Sequence, residues 1–216
     1  MGRRLRNDEV AAFFAALEAE NPNPEGELNY TNTFTLLVAV VLSAQSTDVG
    51  VNKATKELFE IADTPAKMLA LGEERVRNHI KTIGLYRNKA KNVIKLSQQL
   101  LDNHQGNVPE SGKELESLAG VGRKTANVVR NIAFGHPTLA VDTHVFRVAN
   151  RTGLVRGKTP LEVEEKLVKR IPKAYMQHAH HWLILHGRYT CLARKPKCHA
   201  CPVAHICTFG DKTLNI

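Results

Sequence analysis

Long apolar runs are missing from this chain: no stretch approaches the ~18 residues needed to cross a bilayer, which excludes a helical membrane protein. The basic start MGRRLR is followed at once by Asp8 and Glu9, and acids break the apolar stretch after it, so no signal-peptide core forms. Arg6 stands where a myristoylation signal has Ser or Thr. Cysteine is absent from the first 190 residues, and all four lie between 191 and 207. That clustering excludes a secreted disulfide scaffold, whose bridges staple distant segments together. A cytoplasmic or organelle-matrix protein with no membrane contact is expected. Aromatic residues make up 6% of the chain, and no segment alternates polar with β-branched residues, which argues against sheet. Repeats and low-complexity tracts are also lacking.

What is present is ordinary globular usage. The 216 residues, 43% hydrophobic and 24% charged, suffice for one large domain or two small ones with a sizeable core. Thirty Lys and Arg outnumber twenty-one Asp and Glu, a net +9, and the excess is concentrated. Residues 75–95 hold seven bases (Arg75, Arg77, Lys81, Arg87, Lys89, Lys91, Lys95), and residues 166–210 hold eight, with no acid in either window. Such windows suit a polyanion, because counterions released from phosphates favour each contact. A solubilising face or an acidic membrane surface gives the same composition, and charge alone does not separate the three.

Punctuation along the chain is helical. Asp8 opens an amphipathic stretch that the prolines of NPNP, residues 21–24, must end. FTLLVAVVLSAQ, after Thr33, is apolar on every face and reads as a central buried helix. Thr64 before Pro65 and Thr159 before Pro160 are N-caps with proline at the first helical position. Ser111 with Glu114, and Thr159 with Glu162, have capping-box spacing. Gly72, Gly106, Gly135 and Gly153 stand where helices should stop. The fold class expected is all-α, with about ten helices.

LAGVGRKTANVVRNIAFG, residues 118–135, follows a capped helix, turns through Gly120 and Gly122 and enters a second helix with Ala126, Val129, Ile132 and Ala133 on its apolar face. Backbone N–H groups at such a helix start can cradle a phosphate, although a tight helix–helix turn looks the same. Lys124 falls in the first turn, where the positive end of the helix dipole disfavours a charged amine by ~0.3–1 kcal/mol. A Schiff-base nucleophile must be neutral to attack; a solvated or phosphate-binding lysine fits the position equally. Lys124, Asn127 and Asn131 are expected on one polar stripe away from the core. LAGVGRKTANVV resembles the helix-hairpin-helix motif of the endonuclease III family, with Ala119 where that family usually has a stiffening proline.

The resemblance extends along most of the chain, from about Asn21 to Cys207. It implies that Lys124 is the catalytic lysine. VDTHVFR is similar to the family segment that carries the second catalytic residue, here Asp142; without the resemblance Asp142 reads as an N-cap, and the two roles are compatible. The spacing of Cys191, Cys198, Cys201 and Cys207, six, two and five residues apart, suits either zinc or a 4Fe–4S cluster. It resembles the family's iron–sulfur loop, which implies the cluster. The histidines crowding the region then read as packing or phosphate-facing groups, while Arg194, Lys195 and Lys197 are basic residues between ligands, facing the DNA backbone. LSAQSTDVG resembles the stretch whose glutamine, Gln45, enters the space left by an extruded nucleotide. KTIGLYRNKA resembles the loop that supplies an apolar wedge, Ile83 and Leu85. Gly120, Gly122 and Arg123 would contact phosphate, and Asp48 and Glu116 would line the base pocket.

The resemblance further implies a six-helix barrel domain at 26–136, a cluster domain from 1–25 and 137–216, and a catalytic cleft between them. The activity implied is base-excision repair in the cytoplasm at the nucleoid: a monomer acting on double-stranded DNA, removing damaged pyrimidines through a Lys124 Schiff base and nicking the strand at the abasic site. The alternatives are a monofunctional mismatch glycosylase of the same superfamily and a non-catalytic iron–sulfur DNA-binding protein. The first usually lacks the lysine and, in its adenine-specific form, carries a further C-terminal domain; the second would not need both Lys124 and Asp142.

Overall fold

The structure, a computed structural model, describes residues 2–214. Every regular element among them is helical. In chain order these are α1 (Asn7–Glu20), α2 (Thr33–Ser43), α3 (Asp48–Ile61), α4 (Pro65–Leu71), α5 (Glu73–His79), α6 (Tyr86–His104), α7 (Gly112–Ser117), α8 (Arg123–Phe134), α9 (Thr143–Thr152), α10 (Pro160–Arg170) and α11 (Met176–Tyr189), with short 3-10 turns at Lys173–Tyr175 and Cys198–Ala200. The fold is all-α, as the sequence predicts. No helix is long and apolar enough to cross a membrane. The chain divides into two compact units, Glu27–Gly135 and the combination of Met1–Gly26 with His136–Ile216.

In the first unit α2 is the centre. All residues from Phe34 to Leu42 are buried, as a helix apolar all round requires, and α3, α6 and α8 pack around it. Its start is fixed reciprocally: the Asn32 side chain accepts from the Thr35 amide and the Thr35 hydroxyl accepts from the Asn32 amide, each at 2.9 Å. Thr64 caps α4 by accepting from the Lys67 amide at 3.3 Å, with Pro65 at the first position. The Ser111 capping box does not form. Ser111 is exposed and makes no side-chain cap bond; the short α7 is held by buried Leu115 and by α8, whose Arg130 donates to the Glu110 carbonyl at 3.1 Å.

In the second unit α9 packs on α11 and α10, and α1 lays Val10, Phe13, Phe14 and Leu17 on the same core, with Phe14 beside Trp182. α1 stops at Glu20, ahead of the first proline. The Thr159 box forms by half: the hydroxyl accepts from the Glu162 amide at 3.2 Å, whereas the Glu162 carboxylate turns to the Lys158 amide at 2.7 Å and to Lys166. Gly72, Gly135 and Gly153 end α4, α8 and α9 at positive φ.

Candidate functional site

The hairpin between α7 and α8 is built around Gly120. Its φ of +78° is left-handed, and a Cβ there would lie 2.9 Å from the Asn92 side-chain nitrogen, so conformation and room both require glycine. Gly122 is the N-cap of α8 and supplies no side chain to the first turn. Amides at a helix start, with the dipole behind them, favour an external anion. Arg123 and Lys124 are exposed beside them. The turn is clamped from α6: Gln99 accepts from the Ala119 amide at 2.8 Å and donates to the Ser117 carbonyl at 3.1 Å. A proline at 119 has no amide to offer, so the residue that departs from the family pattern gains a bond the family form lacks. The expected polar stripe does not hold throughout. Lys124 is exposed and Asn127 half-buried, but Asn131 is 2% exposed; what covers a helix face, and not side-chain polarity, decides burial there.

Two further elements of this unit meet. Gln45, exposed in the turn from α2 to α3, has φ +55°, and Leu85, the N-cap of α6, has φ +58°. Each is a non-glycine residue in the left-handed region, which costs ~1–2 kcal/mol. A Cβ on Gly84 would sit 3.5 Å from the Gln45 carbonyl oxygen, and the Lys89 ammonium donates to the Ser46 hydroxyl at 2.8 Å. Leu85 is 56% exposed, whereas Ile83 is 6% exposed and belongs to the core. The expected pair of wedge residues therefore presents one apolar surface, because Ile83 is turned inward toward α3, near Gly50. Lys89 is likewise not the surface base that its window suggests: it is 5% exposed, on the α6 face that buries Ala90, Val93 and Leu96, and burial pushes its pKa down. Asp48 opens α3 half-buried, and Glu116 is exposed on α7.

Asp142 belongs to the other unit. It caps α9, its Oδ1 accepting from the Val145 amide at 2.8 Å, and it is half-buried. The chain leading to it is pinned by His180, 3% exposed, whose Nδ1 lies 2.9 Å from the Ala140 carbonyl oxygen. A carbonyl only accepts, so Nδ1 carries the proton.

The four cysteines line one pocket together with Arg151, His186, Phe209 and Lys212. Burial raises the Cys201 thiol to about 11, helped by the three neighbouring cysteines, and raises Cys207 as well. Thiolates gathered this closely are stabilised by a compensating cation. Two donors are already aimed at sulfur, Arg151 Nη1 at 3.6 Å from Cys191 Sγ and the Phe209 amide at 3.4 Å from Cys207 Sγ, and His186 Nε2 lies 3.8 Å from Cys201 Sγ. His186 is held near 4 by burial and is neutral at pH 7. Four cysteines with hydrogen-bonding groups beside their sulfurs fit an iron–sulfur cluster.

Residues 38–173 match the family described as HhH-GPD superfamily base excision DNA repair protein, and residues 191–207 match the iron-sulfur binding domain of endonuclease III. Endonuclease III of Escherichia coli is 58% identical over 196 residues, 91% of this chain and 93% of that protein. The chain belongs to the endonuclease III family. The Haemophilus influenzae endonuclease III is 56% identical over the same shares of both chains. A structure of a trapped endonuclease III–DNA covalent intermediate, an estranged-adenine complex, matches with a TM-score of 0.88 at 48% identity, over 94% of this chain and 96% of that one. A thermostable thymine-DNA glycosylase, 22% identical with a TM-score of 0.84 over 94% and 97% of the two chains, shares the fold. The cofactor is a 4Fe–4S cluster.

The way an endonuclease III chain holds its cluster loop is not visible in the motif. Arg147 donates to the carbonyls of Gly187 (2.7 Å) and Cys191 (3.1 Å), and Arg151 to those of Leu192 (2.6 Å) and Ala193 (3.0 Å) while stacking on Phe209. Arg194, Lys195 and Lys197 are thereby left exposed on an anchored loop. Two bases of the second window work inside the protein instead: Lys166 donates to the Arg156 carbonyl at 2.7 Å and Arg170 to that of Leu154 at 2.5 Å. His180 and His186 are buried packing groups, and His199 and His205 are exposed.

Proposed function

We propose that this chain excises oxidised or damaged pyrimidines from duplex DNA and cuts the strand 3′ of the resulting abasic site, with Lys124 as nucleophile and Asp142 as its charged partner. The neutral Lys124 amine attacks C1′ of the damaged nucleotide, and the C1′–N bond breaks with its electron pair leaving on the base. The Asp142 carboxylate stabilises the positive charge that develops at the sugar and accepts protons from the attacking amine. Ring opening gives an imine between Nζ and C1′; loss of a C2′ proton then expels the 3′ phosphate by β-elimination, and water releases Lys124. The cluster, held by Cys191, Cys198, Cys201 and Cys207, supplies structure, fixing the basic loop.

The observation that carries this reading is the position of Lys124: exposed, in the first turn of a helix whose glycine N-cap places no side chain over its start, in a chain whose 48%-identical relative has been trapped as a covalent intermediate with DNA. Around it, Gly120, Gly122 and Arg123 would hold phosphate, and Arg194, Lys195 and Lys197 would track the backbone. Gln45 and Leu85 would fill the gap left by the extruded nucleotide, with Asp48 and Glu116 lining the base pocket. The enzyme acts as a monomer on nucleoid DNA in the cytoplasm.

Borohydride reduction during turnover tests the mechanism. Wild-type protein should be frozen onto lesion DNA as an irreversible adduct, and Lys124→Gln should abolish both the adduct and strand cleavage while retaining binding. An adduct formed by Lys124→Gln would assign the nucleophile to another amine. Asp142→Asn preserves the cap, because Asn caps as well as Asp, and should slow base release severely with little change in stability.

A further inference from the structure

Lys89 is 5% exposed, and its part-buried ammonium has one hydrogen-bond partner among the described residues, the Ser46 hydroxyl at 2.8 Å, with no salt bridge to a carboxylate. Partial burial of an ammonium against a single neutral acceptor disfavours its charged form, since some water is lost and no opposite charge replaces it. What the arrangement achieves is geometric. The Lys89 amide bonds to the Leu85 carbonyl at 3.0 Å, so its backbone is tied to the exposed left-handed Leu85, while its ammonium is tied to the residue that follows the exposed left-handed Gln45. Gly84 closes the same junction by lying against the Gln45 carbonyl. Forty-three residues apart in sequence, the two turns are joined through one side chain.

We propose that Lys89 is a positioning residue that locks the Gln45 turn to the Leu85 loop, so that the two gap-filling side chains enter the duplex as one preorganised unit. Each turn holds a conformation that its own residue disfavours, and without the lock each relaxes toward its own extended form. Two separate ordering events would then accompany extrusion of the nucleotide. This inference rests on the reading of Gln45 and Leu85 as gap-filling residues.

The test compares one lesion in two contexts, an oxidised pyrimidine paired in duplex and the same nucleotide in single-stranded DNA, where no gap needs filling. In the holoenzyme, Lys89→Met should lower kcat/KM on the duplex roughly tenfold more than on the single strand, the scale of one hydrogen bond to a charged group. Ser46→Ala, which leaves the core untouched, should give a similar selective loss, and the double variant should be no worse than either alone. A 2-aminopurine opposite the lesion should lose its rise in fluorescence on binding. Equal losses in both contexts, additive losses, or undiminished duplex activity in Ser46→Ala would overturn the lock. Gln45→Ala and Leu85→Ala separate the two levels: if these lose duplex selectivity and Lys89→Met does not, the lock alone is wrong. If they do not, the gap-filling reading falls and takes the lock with it.

Discussion

Ala119 allows the hairpin's rigidity to be measured with one pair of substitutions. Its amide donates to Gln99 at 2.8 Å, and Gln99 also donates to the Ser117 carbonyl at 3.1 Å. A half-exposed neutral hydrogen bond contributes ~0.5–1.5 kcal/mol net, so Gln99→Ala should cost about 1–2 kcal/mol, or roughly 2–8 °C in Tm for a chain of this size. Ala119→Pro restores the usual family residue. Leu118, with φ −74° and ψ 145°, already has the extended conformation that a residue before proline needs. The substitution removes one bond, costing ~0.5–1.5 kcal/mol, and gains ~0.4–1 kcal/mol by restricting the unfolded chain. In the natural background these nearly cancel. In the Gln99→Ala background the bond is already gone, so only the gain remains, and the double variant should be more stable than Gln99→Ala by ~0.4–1 kcal/mol. Thermal unfolding of the four holoproteins reads the sign directly. If Ala119→Pro shifts Tm equally in both backgrounds, the Gln99 clamp does not hold the turn.

Iron and acid-labile sulfide should be found at about 4:4 per chain; one zinc and no iron would refute the cluster while leaving the glycosylase chemistry standing. Replacing Arg194, Lys195 and Lys197 by Ala should flatten the dependence of log affinity on log salt by about 0.9 for each phosphate no longer neutralised, and an unchanged slope would make the loop a solvated face. His181 is held below its usual 6.5 by burial and by neighbouring His178, against Glu25. A depressed histidine resists protonation in the folded state, so its contribution is complete above about pH 6.5 and is lost as pH falls below that. His181→Gln should lessen the loss of Tm between pH 7 and 5; an undiminished loss would assign the acid sensitivity elsewhere.

Features written locally are legible in the sequence, and features that depend on partners far along the chain are not. Thr64, Thr159, Pro22 and the closing glycines act within four residues of themselves, so their chemistry predicts helix boundaries that the structure contains. The apolar run of α2 has no polar face to offer solvent, and burial follows. Apart from the Ser111 box, which a local signal predicts and the chain does not form, the misplaced residues share one cause. Residue type alone misplaces Ile83, Lys89 and Asn131, because each lies on a face covered by other elements. Lys89 does leave a trace: Lys89, Val93, Leu96 and Leu100 continue one helical stripe, which places the lysine on the buried side of α6. No comparable trace exists for Arg147 and Arg151, whose partners lie 40 to 44 residues away. The residues proposed to carry the chemistry, Lys124, Asp142 and the four cysteines, enter by a different route, since motif resemblance points to candidate groups whatever their packing. The residues that brace the segments around them, Gln99, His180 and the two arginines of α9, bond to backbone. A partner that is backbone leaves no side-chain pattern to read, so the supporting residues emerge only once the chain is folded.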